Sequence, residues 1–268
     1  MIRLAVAGAA GRMGKMILSL ARNDSSFQIA RCLEAKSSPV VGMDVSMIIG
    51  SKSMNVTISH DAERVLKKAD VLIDFTHPSS MAGYLKAAVK NKVGYVIGTT
   101  GLHSAAIQKL KAAAKTIPIV QSPNMSVGVN LLFKLAELTA IALDERYDIE
   151  IAEAHHRMKK DSPSGTALKL LEIVAAARKK NLRKDVVYGR EGEVGARPAG
   201  QIGVLALRGG DVVGDHTVYF LGDGERIELT HRASSRQAFA QGALLAAKFV
   251  AKSKAGLYNM SQVLGIDR

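Results

Sequence analysis

Two histidines and three cations lie within six consecutive positions of the chain, from His155 to Lys160. The stretch from Glu153 to Thr166 reads EAHHRMKKDSPSGT, and it follows a predicted strand and leads into a predicted helix. Histidine exchanges protons near neutral pH, and a lysine four positions later supplies a proton or neutralises negative charge. From the residues alone, a solvated basic turn that ends in a helix cap is the alternative interpretation.

The helix predicted after Ser164 adds a second feature to this loop. A helix N-terminus attracts a carboxylate through its backbone N–H groups and its positive dipole end, and hydroxyls at Ser164 or Thr166 add donors. Together with the basic side chains, this predicts a cationic pocket for a small polyanion. Paired histidines among so many cations disfavour a metal site, so no metal is expected.

Three glycines, Gly8, Gly11 and Gly14, follow the first apolar strand and open a helix. Glycine lets the backbone turn tightly and approach a pyrophosphate, which then lies at the helix N-terminus. Glu34 ends the next strand, 20 positions after Gly14, where an acidic side chain accepts hydrogen bonds from ribose hydroxyls. This pattern predicts a dinucleotide site, and a plain tight turn with a solvated Glu34 is the alternative.

Two further loops follow predicted strands, where ligands of open α/β sheets bind. They have the sequences Gly98-Thr99-Thr100-Gly101 and Ser122-Pro123-Asn124-Met125. Their hydroxyls, amide and backbone groups are candidates for holding the nicotinamide end of a dinucleotide. Ordinary turn chemistry explains the same residues equally well.

The elements that would position these loops alternate between strand and helix in the first part of the chain. Strands are predicted at 2–7, 27–34, 55–59, 71–75, 93–97 and 117–121, and helices at 12–22, 61–68, 78–91 and 104–115. Asp61 is predicted to cap the second of these helices, and Pro78 lies in the first turn of the third. Because the strands are short and almost wholly apolar, the pattern is typical of a doubly wound parallel sheet. The sequence therefore predicts a Rossmann-like cofactor domain in the α/β class.

The pattern changes near Ser122. A long helix at 127–143 precedes a half-exposed strand at 147–154, a helix at 165–180, and strands at 201–208, 212–221 and 225–231, which we expect to be antiparallel. A last helix is predicted at 237–252. These elements predict an α+β substrate and oligomerisation domain with a mixed open sheet.

The composition is that of an ordinary globular protein of 268 residues, with 47% hydrophobic and 23% charged residues. The formal net charge of +13 fits nucleic-acid binding, attraction of small anions or a generally basic protein. The basic residues are scattered and there is no tryptophan, which disfavours nucleic acid. The start at Met1 lacks a secretory leader pattern and no apolar run reaches about 18 residues, so we expect a cytoplasmic protein without a membrane segment.

These motifs together resemble the 4-hydroxy-tetrahydrodipicolinate reductase (dihydrodipicolinate reductase) family of lysine and diaminopimelate biosynthesis. The resemblance is collinear from residue 2 to about residue 264, and the most specific part is the loop from Glu153 to Thr166. Further matching segments are Gly8–Gly14, Ile73–Thr76, Val96–Gly101, Asn124–Asn130 and His231–Arg236.

The resemblance implies a reductase that uses NADH or NADPH on a small cyclic dicarboxylate. It implies that His155 and Lys159 supply the proton, and that the substrate contacts are His156, Ser164, Gly165 and Thr166. The implied cofactor residues are Gly8, Ala9, Ala10, Gly11, Arg12, Met13, Glu34, Gly98, Thr99, Thr100, Ser122, Pro123, Asn124 and Met125.

The resemblance also implies an assembly and a division of the chain. It implies a homotetramer formed through the sheet of the second domain. The last helix is expected to return to the cofactor domain, which would then comprise residues 1–125 and 236–268, with the substrate and tetramerisation domain at 126–235.

One departure from the family concerns the cofactor. Members that use NADPH readily often carry an arginine directly after the acidic residue, and this chain has Ala35 and then Lys36. The guanidinium clamps a 2′-phosphate and alanine does not, so the sequence leaves NADPH preference open.

Other functions remain as alternatives. A nicotinamide-sensing binding protein without turnover, or an oxidoreductase for another small dicarboxylate, would share most of these motifs. A semialdehyde-type dehydrogenase needs a cysteine in the second domain, but the single cysteine is Cys32. No tyrosine has the lysine four positions later that a short-chain dehydrogenase uses.

Overall fold

The structure, a computed structural model, describes residues 1–267 and divides into two compact units. One unit comprises residues 1–127 together with the segment that begins at Arg236, and the other comprises Gly128–Ser235. This division follows from internal contacts alone. The functions that the sequence assigns to two domains therefore stay predictions.

The first unit contains a seven-stranded sheet in the order β12-β6-β5-β4-β1-β2-β3, with all neighbours parallel. This confirms the predicted Rossmann-like sheet. Its strands are β1 (Ile2–Ala7), β2 (Phe27–Leu33), β3 (Ile58–Ser59), β4 (Val71–Asp74), β5 (Gly94–Ile97), β6 (Pro118–Gln121) and β12 (Gly256–Tyr258). Its helices are α1 (Arg12–Arg22), α2 (Ser46–Ile49), α3 (Ala62–Leu66), α4 (Pro78–Asn91), α5 (Ser104–Ala113), α8 (Gln237–Val250) and α9 (Met260–Leu264).

Apolar residues of the central strands face both sides of this sheet. Leu4 and Val6 pack with α1 and α8, whereas Ala5 and Ala7 pack with α3, α4 and α5. Each large apolar side chain that is fully buried in this way contributes about 1.5–3 kcal/mol. This two-sided burial explains the near-continuous apolar sequence of the strands.

Local signals set the helix starts. The carboxylate of Asp61, predicted as a cap, accepts a hydrogen bond from the N–H of Arg64 at 3.0 Å. Pro78 occupies the first turn of α4, where its missing N–H would have no helical partner in any case.

The second unit contains a mixed five-stranded sheet in the order β11-β10-β7-β9-β8. Its elements are α6 (Val127–Ala142), β7 (Asp148–His155), α7 (Gly165–Ala177), β8 (Val186–Tyr188), β9 (Ile202–Arg208), β10 (Gly214–Gly222) and β11 (Glu225–Ala233). Apolar residues of α6 and α7 pack on one face of the sheet. The predicted mixed open sheet is therefore confirmed.

One expected pairing is wrong. The strands predicted at 201–208 and 212–221 are not neighbours, because β7 lies between β9 and β10 and runs parallel to β9. The connection from β9 to β10 passes the end of β7, where the N–H of His156 donates to the carbonyl of Val212 at 2.7 Å. Residue alternation predicts a strand but not its neighbour. The short elements β8, β12 and α9 were not predicted, because three to five residues carry too little pattern.

Among residues 1–267, no helix is both long and apolar enough to span a bilayer.

Candidate active site

The glycine turn joins β1 to α1. Gly8 has φ of +70°, a conformation that favours glycine, and a Cβ on Gly14 would lie 2.1 Å from the carbonyl oxygen of Gly8. The helix therefore packs directly against the turn. Gly11 is the N-cap of α1 and has no side chain to cap it, so the first N–H groups and the positive dipole end of α1 suit an anion such as a pyrophosphate.

Glu34 follows β2 and is tied to the glycine turn. Its Oε1 accepts a hydrogen bond from the N–H of Ala10 at 2.7 Å, and its own N–H donates to the carbonyl of Ser59. Glu34, Ala35 and Lys36 line a cleft of about 590 Å³. Glu34 therefore lies beside both the turn and the cleft, where a carboxylate can accept hydrogen bonds from ribose hydroxyls.

The strand order brings the other predicted cofactor loops to the same end of the sheet. Neighbouring strands β1, β4, β5 and β6 are parallel, so the loops after them all leave from one edge. The side chains of Thr99, Ser122 and Met125 are buried, which leaves mainly backbone groups of these loops to contact a ligand. The remaining predicted cofactor residues are Ala9 in the glycine turn, Arg12 and Met13 at the start of α1, and Gly98, Thr100, Pro123 and Asn124 in the loops after β5 and β6.

The sequence interpretation missed Asp74 at the end of β4. This fully buried carboxylate accepts hydrogen bonds from the N–H and hydroxyl of Thr76 at 2.8 and 2.6 Å and from the hydroxyl of Tyr95 at 2.5 Å. The hydroxyl of Thr99 lies 3.4 Å away. Asp74 therefore joins the loops after β4 and β5. An acidic residue that ends an otherwise apolar strand was the available signal.

In the second unit, His155 is the last residue of β7 and is 9% exposed. Its Nδ1 lies 2.5 Å from Oε2 of Glu153. Burial lowers the pKa of His155, and the hydrogen bond and negative charge of Glu153 oppose that effect. The result is an imidazole whose pKa lies below its usual value.

Lys159 lies in the loop that follows His155. Its Nζ lies 2.9 Å from both carboxylate oxygens of Asp161, and its side chain is 20% exposed. From the sequence, the neighbours expected around Lys159 were the cations Arg157 and Lys160. The ion pair with Asp161 corrects that expectation. The pairing arises because the loop turns back on itself, with the N–H of Lys159 bonded to the carbonyl of His156.

Ser164 caps α7, as the sequence predicted. Its Oγ accepts from the N–H of Ala167 at 3.2 Å and lies 3.0 Å from Nε2 of His216. The Ser164 side chain is therefore engaged within the protein. Gly165 and Thr166 form the first two positions of α7, next to this cap. His156 directly follows β7 and is half-buried.

Glu153, Arg208 and His216 are the residues of this cluster that the sequence interpretation missed. Arg208 ends the strand predicted at 201–208, and it joins the cluster because this strand, β9, pairs with β7 as far as His155. The signal for Glu153 was its place on the apolar face of β7, where a buried carboxylate needs partners. His216 gave no comparable signal.

His216 is almost completely buried in the middle of this cluster. Burial is the largest cause that lowers its pKa to about 3, and the neighbouring His155 lowers it further. Its ring packs edge-on against that of His155, with ring centroids 5.1 Å apart. The His216 ring is therefore uncharged near neutral pH.

Cys32, the single cysteine, is buried in β2. Burial raises the pKa of its thiol to about 12, which keeps it protonated and suits a packed strand residue.

The chain matches two family models over nearly its full length. Residues 2–125 match "Dihydrodipicolinate reductase, N-terminus", and residues 128–264 match "Dihydrodipicolinate reductase, C-terminus".

Individual relatives agree with these models. The chain is 50% identical to the 4-hydroxy-tetrahydrodipicolinate reductase of Thiobacillus denitrificans, over 99% of each chain. It is 49% identical to the reductase of the same name from Polynucleobacter necessarius, over 100% of each chain. It is similar in structure to a dipicolinate-bound dihydrodipicolinate reductase from Paenisporosarcina, with 28% identity, a TM-score of 0.78 and 97% of each chain covered.

Proposed function

The chain belongs to the dihydrodipicolinate reductase family, and we propose on that basis that it reduces 4-hydroxy-tetrahydrodipicolinate to tetrahydrodipicolinate with loss of water. It is a nicotinamide-dependent reductase of lysine and diaminopimelate biosynthesis. The observation that carries the proposal is the loop at 153–166, which joins a buried histidine, a lysine and a capped helix N-terminus. In the reaction, water leaves the ring, and C4 then receives a hydride while a proton completes the reduction.

The glycine turn fits a dinucleotide. A pyrophosphate would lie at the N-terminus of α1, against the turn from Gly8 to Met13, and Glu34 would accept the ribose hydroxyls. The loops at 98–100 and 122–125 would hold the nicotinamide end through their backbone groups. When bound, the nicotinamide supplies the hydride. Ala35 in place of an arginine favours NADH over NADPH.

The residues of the second unit bind the substrate and move the proton. The N-terminus of α7, with Gly165 and Thr166, would receive one carboxylate, and the Ser164 hydroxyl holds that helix end in place. His156 would donate a hydrogen bond to the dianion, and Lys159 would offset part of its charge. Nε2 of His155, on the side of the ring opposite Glu153, would deliver the proton together with Lys159.

The sheet of the second unit supports a homotetramer. On the face away from α6 and α7, Leu205 is 44% exposed and Leu207 is 58% exposed. Large apolar side chains on an open sheet face gain stability when a second copy covers them. Light scattering at micromolar concentration tests this assembly, and a monomer would contradict it. We expect the enzyme to work in the cytoplasm, where its cofactors are.

Oxidation of NADH and NADPH with freshly generated substrate tests the proposed function. We expect loss of reduced-nicotinamide absorbance that depends on substrate, and a higher kcat/KM with NADH. Reactions without substrate provide the control. A protein that binds NADH but never oxidises it in the presence of substrate would instead be a nicotinamide-sensing protein.

A further inference from the structure

A chain of hydrogen-bonded groups connects Arg208 on β9, which is partly buried, through the buried Glu153 on β7 to the ring of His155. Two nitrogens of the Arg208 guanidinium donate to the two carboxylate oxygens of Glu153, both at 2.8 Å. The same carboxylate accepts the N–H of Ser164 at 3.0 Å and contacts Nδ1 of His155 at 2.5 Å. Glu153 is 1% exposed, so these four contacts replace its hydration.

The donors around Glu153 decide its charge. Burial raises the pKa of this carboxyl, but the hydrogen bonds from Arg208, His155 and Ser164 outweigh burial and hold the pKa below its ordinary value. A bidentate guanidinium is the strongest of these partners. Glu153 is therefore ionised near neutral pH, and an ionised carboxylate only accepts hydrogen bonds.

The position of the proton on the neutral His155 ring follows from the ionised state of Glu153. Because Glu153 accepts, Nδ1 of His155 must carry the hydrogen. Nε2 is then the nitrogen that lacks a proton in the neutral ring and gains one in the charged ring. We propose that Glu153, fixed by Arg208, is a positioning residue that holds His155 in the Nδ1–H tautomer, so that Nε2, and not Nδ1, is the ring nitrogen that exchanges a proton in the reaction. This inference rests on the proposed function of His155.

Two further features support the role. Arg208 also donates to the carbonyl of Asp161 at 2.8 Å, which connects the chain to the Lys159 loop. The N–H of Ser164 connects it to the cap of α7. One buried carboxylate therefore fixes the histidine relative to both segments that the proposed function assigns to the substrate.

The groups around His155 predict how its pKa changes when the charge of Glu153 is removed. Its charged neighbours are Glu153 on the same strand, Lys159 in the following loop and Arg208 on β9, and His216 on β10 packs against its ring. Of these charged neighbours, only Glu153 favours the protonated ring of His155. Burial and the two cations, Lys159 and Arg208, lower the pKa of His155. Removing that charge moves the pKa of His155 further down.

The test uses ¹⁵N NMR of histidine-labelled protein, with the His155 signal identified by its loss in His155→Asn. We expect neutral His155 in the wild type to carry its proton on Nδ1. In Glu153→Gln we expect this tautomer preference to be lost, kcat to fall about 10- to 100-fold, and KM to change less than threefold. We also expect the decline of kcat at high pH, where the proton donor is deprotonated, to move to lower pH.

Glu150→Gln is the matched control. Glu150 lies on the same strand but away from His155, and it also pairs with two arginines, Arg190 and Arg197. This variant should keep the tautomer and the pH profile of the wild type. Glu153→Asp, which keeps the charge, should recover part of kcat and restore the position of the alkaline limb.

The outcomes separate the two proposals. A wild type that turns over substrate but carries the His155 proton on Nε2 overturns the positioning role alone, even if Glu153→Gln does not fold. An unchanged pH profile in a folded Glu153→Gln variant also overturns it. A wild type without turnover overturns the proposed function, whatever the tautomer of His155.

Discussion

Oε1 of Glu34 accepts a hydrogen bond from the N–H of Ala10 at 2.7 Å, although the two residues are 24 positions apart in the chain. The contact joins the end of β2 to the glycine turn and fixes the carboxylate beside the cleft that Ala35 and Lys36 line. An acidic group in this place attracts ribose hydroxyls and repels a 2′-phosphate. We therefore expect the residue after it, Ala35, to influence how well NADPH binds.

Ala35→Arg should therefore improve NADPH binding. The cleft has room for the longer side chain, and a guanidinium pairs with a phosphate in a bidentate manner. We expect the Kd for NADPH to fall by about tenfold, which corresponds to about 1.4 kcal/mol, with the Kd for NADH within about twofold of the wild type. Fluorescence titration measures both, and Ala35→Gln is the uncharged control. Equal gains for both cofactors would contradict a 2′-phosphate site here.

Gly11→Val should abolish NADH binding in a folded protein. A branched side chain at the N-cap of α1 would occupy the space of the pyrophosphate, and its Cβ would lie 3.1 Å from the carbonyl oxygen of Gly8. Gly14→Val is the contrast, since its Cβ would overlap the backbone of the turn, and we expect it to lower the melting temperature. Titration with NADH and thermal unfolding distinguish the two effects. Normal NADH affinity in folded Gly11→Val would refute the cofactor assignment.

Thr166→Val should weaken substrate binding more than cofactor binding. The residue lies in the first turn of α7, where a hydroxyl would donate to a substrate carboxylate. A hydrogen bond to a charged group contributes about 1.5–3 kcal/mol, so KM should rise roughly ten- to a hundredfold. The Kd for NADH should stay within about twofold, and Thr166→Ser should resemble the wild type. Equal effects on both ligands would indicate a structural role.

Lys159→Met tests the proton-supply role of the lysine. We expect the variant to fold, to bind NADH, and to lose kcat by roughly 10²–10⁴-fold, as when a general acid is removed. Lys160→Met is the control, because Lys160 is the exposed neighbour and should tolerate the change. Steady-state kinetics with both variants measure the loss of kcat. Near-normal kcat in Lys159→Met, or greater damage in Lys160→Met, would disprove the assignment.

The buried His216 should make the protein sensitive to acid. Its folded-state pKa of about 3 lies below the unfolded value of 6.5, so between these values the unfolded chain binds more protons than the folded one. The free energy of unfolding should therefore fall as the pH drops through this window, by up to roughly 1.4 kcal/mol per pH unit.

His216→Gln should reduce the dependence of the free energy of unfolding on pH. Urea unfolding at several pH values, over about three pH units below neutrality, measures this dependence. His60→Gln is the control, because His60 is exposed. An unchanged slope in His216→Gln would show that other groups cause the acid sensitivity.

Several features of the fold were determined by the sequence alone. Short apolar strands that alternate with amphipathic helices predict the parallel sheet, because strands buried on both faces have no polar side. Pro78 and Asp61 marked the starts of α4 and α3 through local backbone chemistry, which does not depend on distant residues. The types and spacing of His155, Lys159 and the glycines likewise predicted candidate sites before any tertiary contact was known.

Only the tertiary structure decided which distant residues meet. The position of β7 between β9 and β10 brings Arg208 and His216 to either side of Glu153, and no local pattern encodes that neighbourhood. Asp74 likewise acquires a partner, Tyr95, from the neighbouring strand β5. Strand pairing over long separations depends on packing of the whole sheet, whereas residue types and their periodicity act within a few positions. The sequence could therefore predict a candidate proton donor, His155, but only the fold could identify Glu153 as the carboxylate that contacts it.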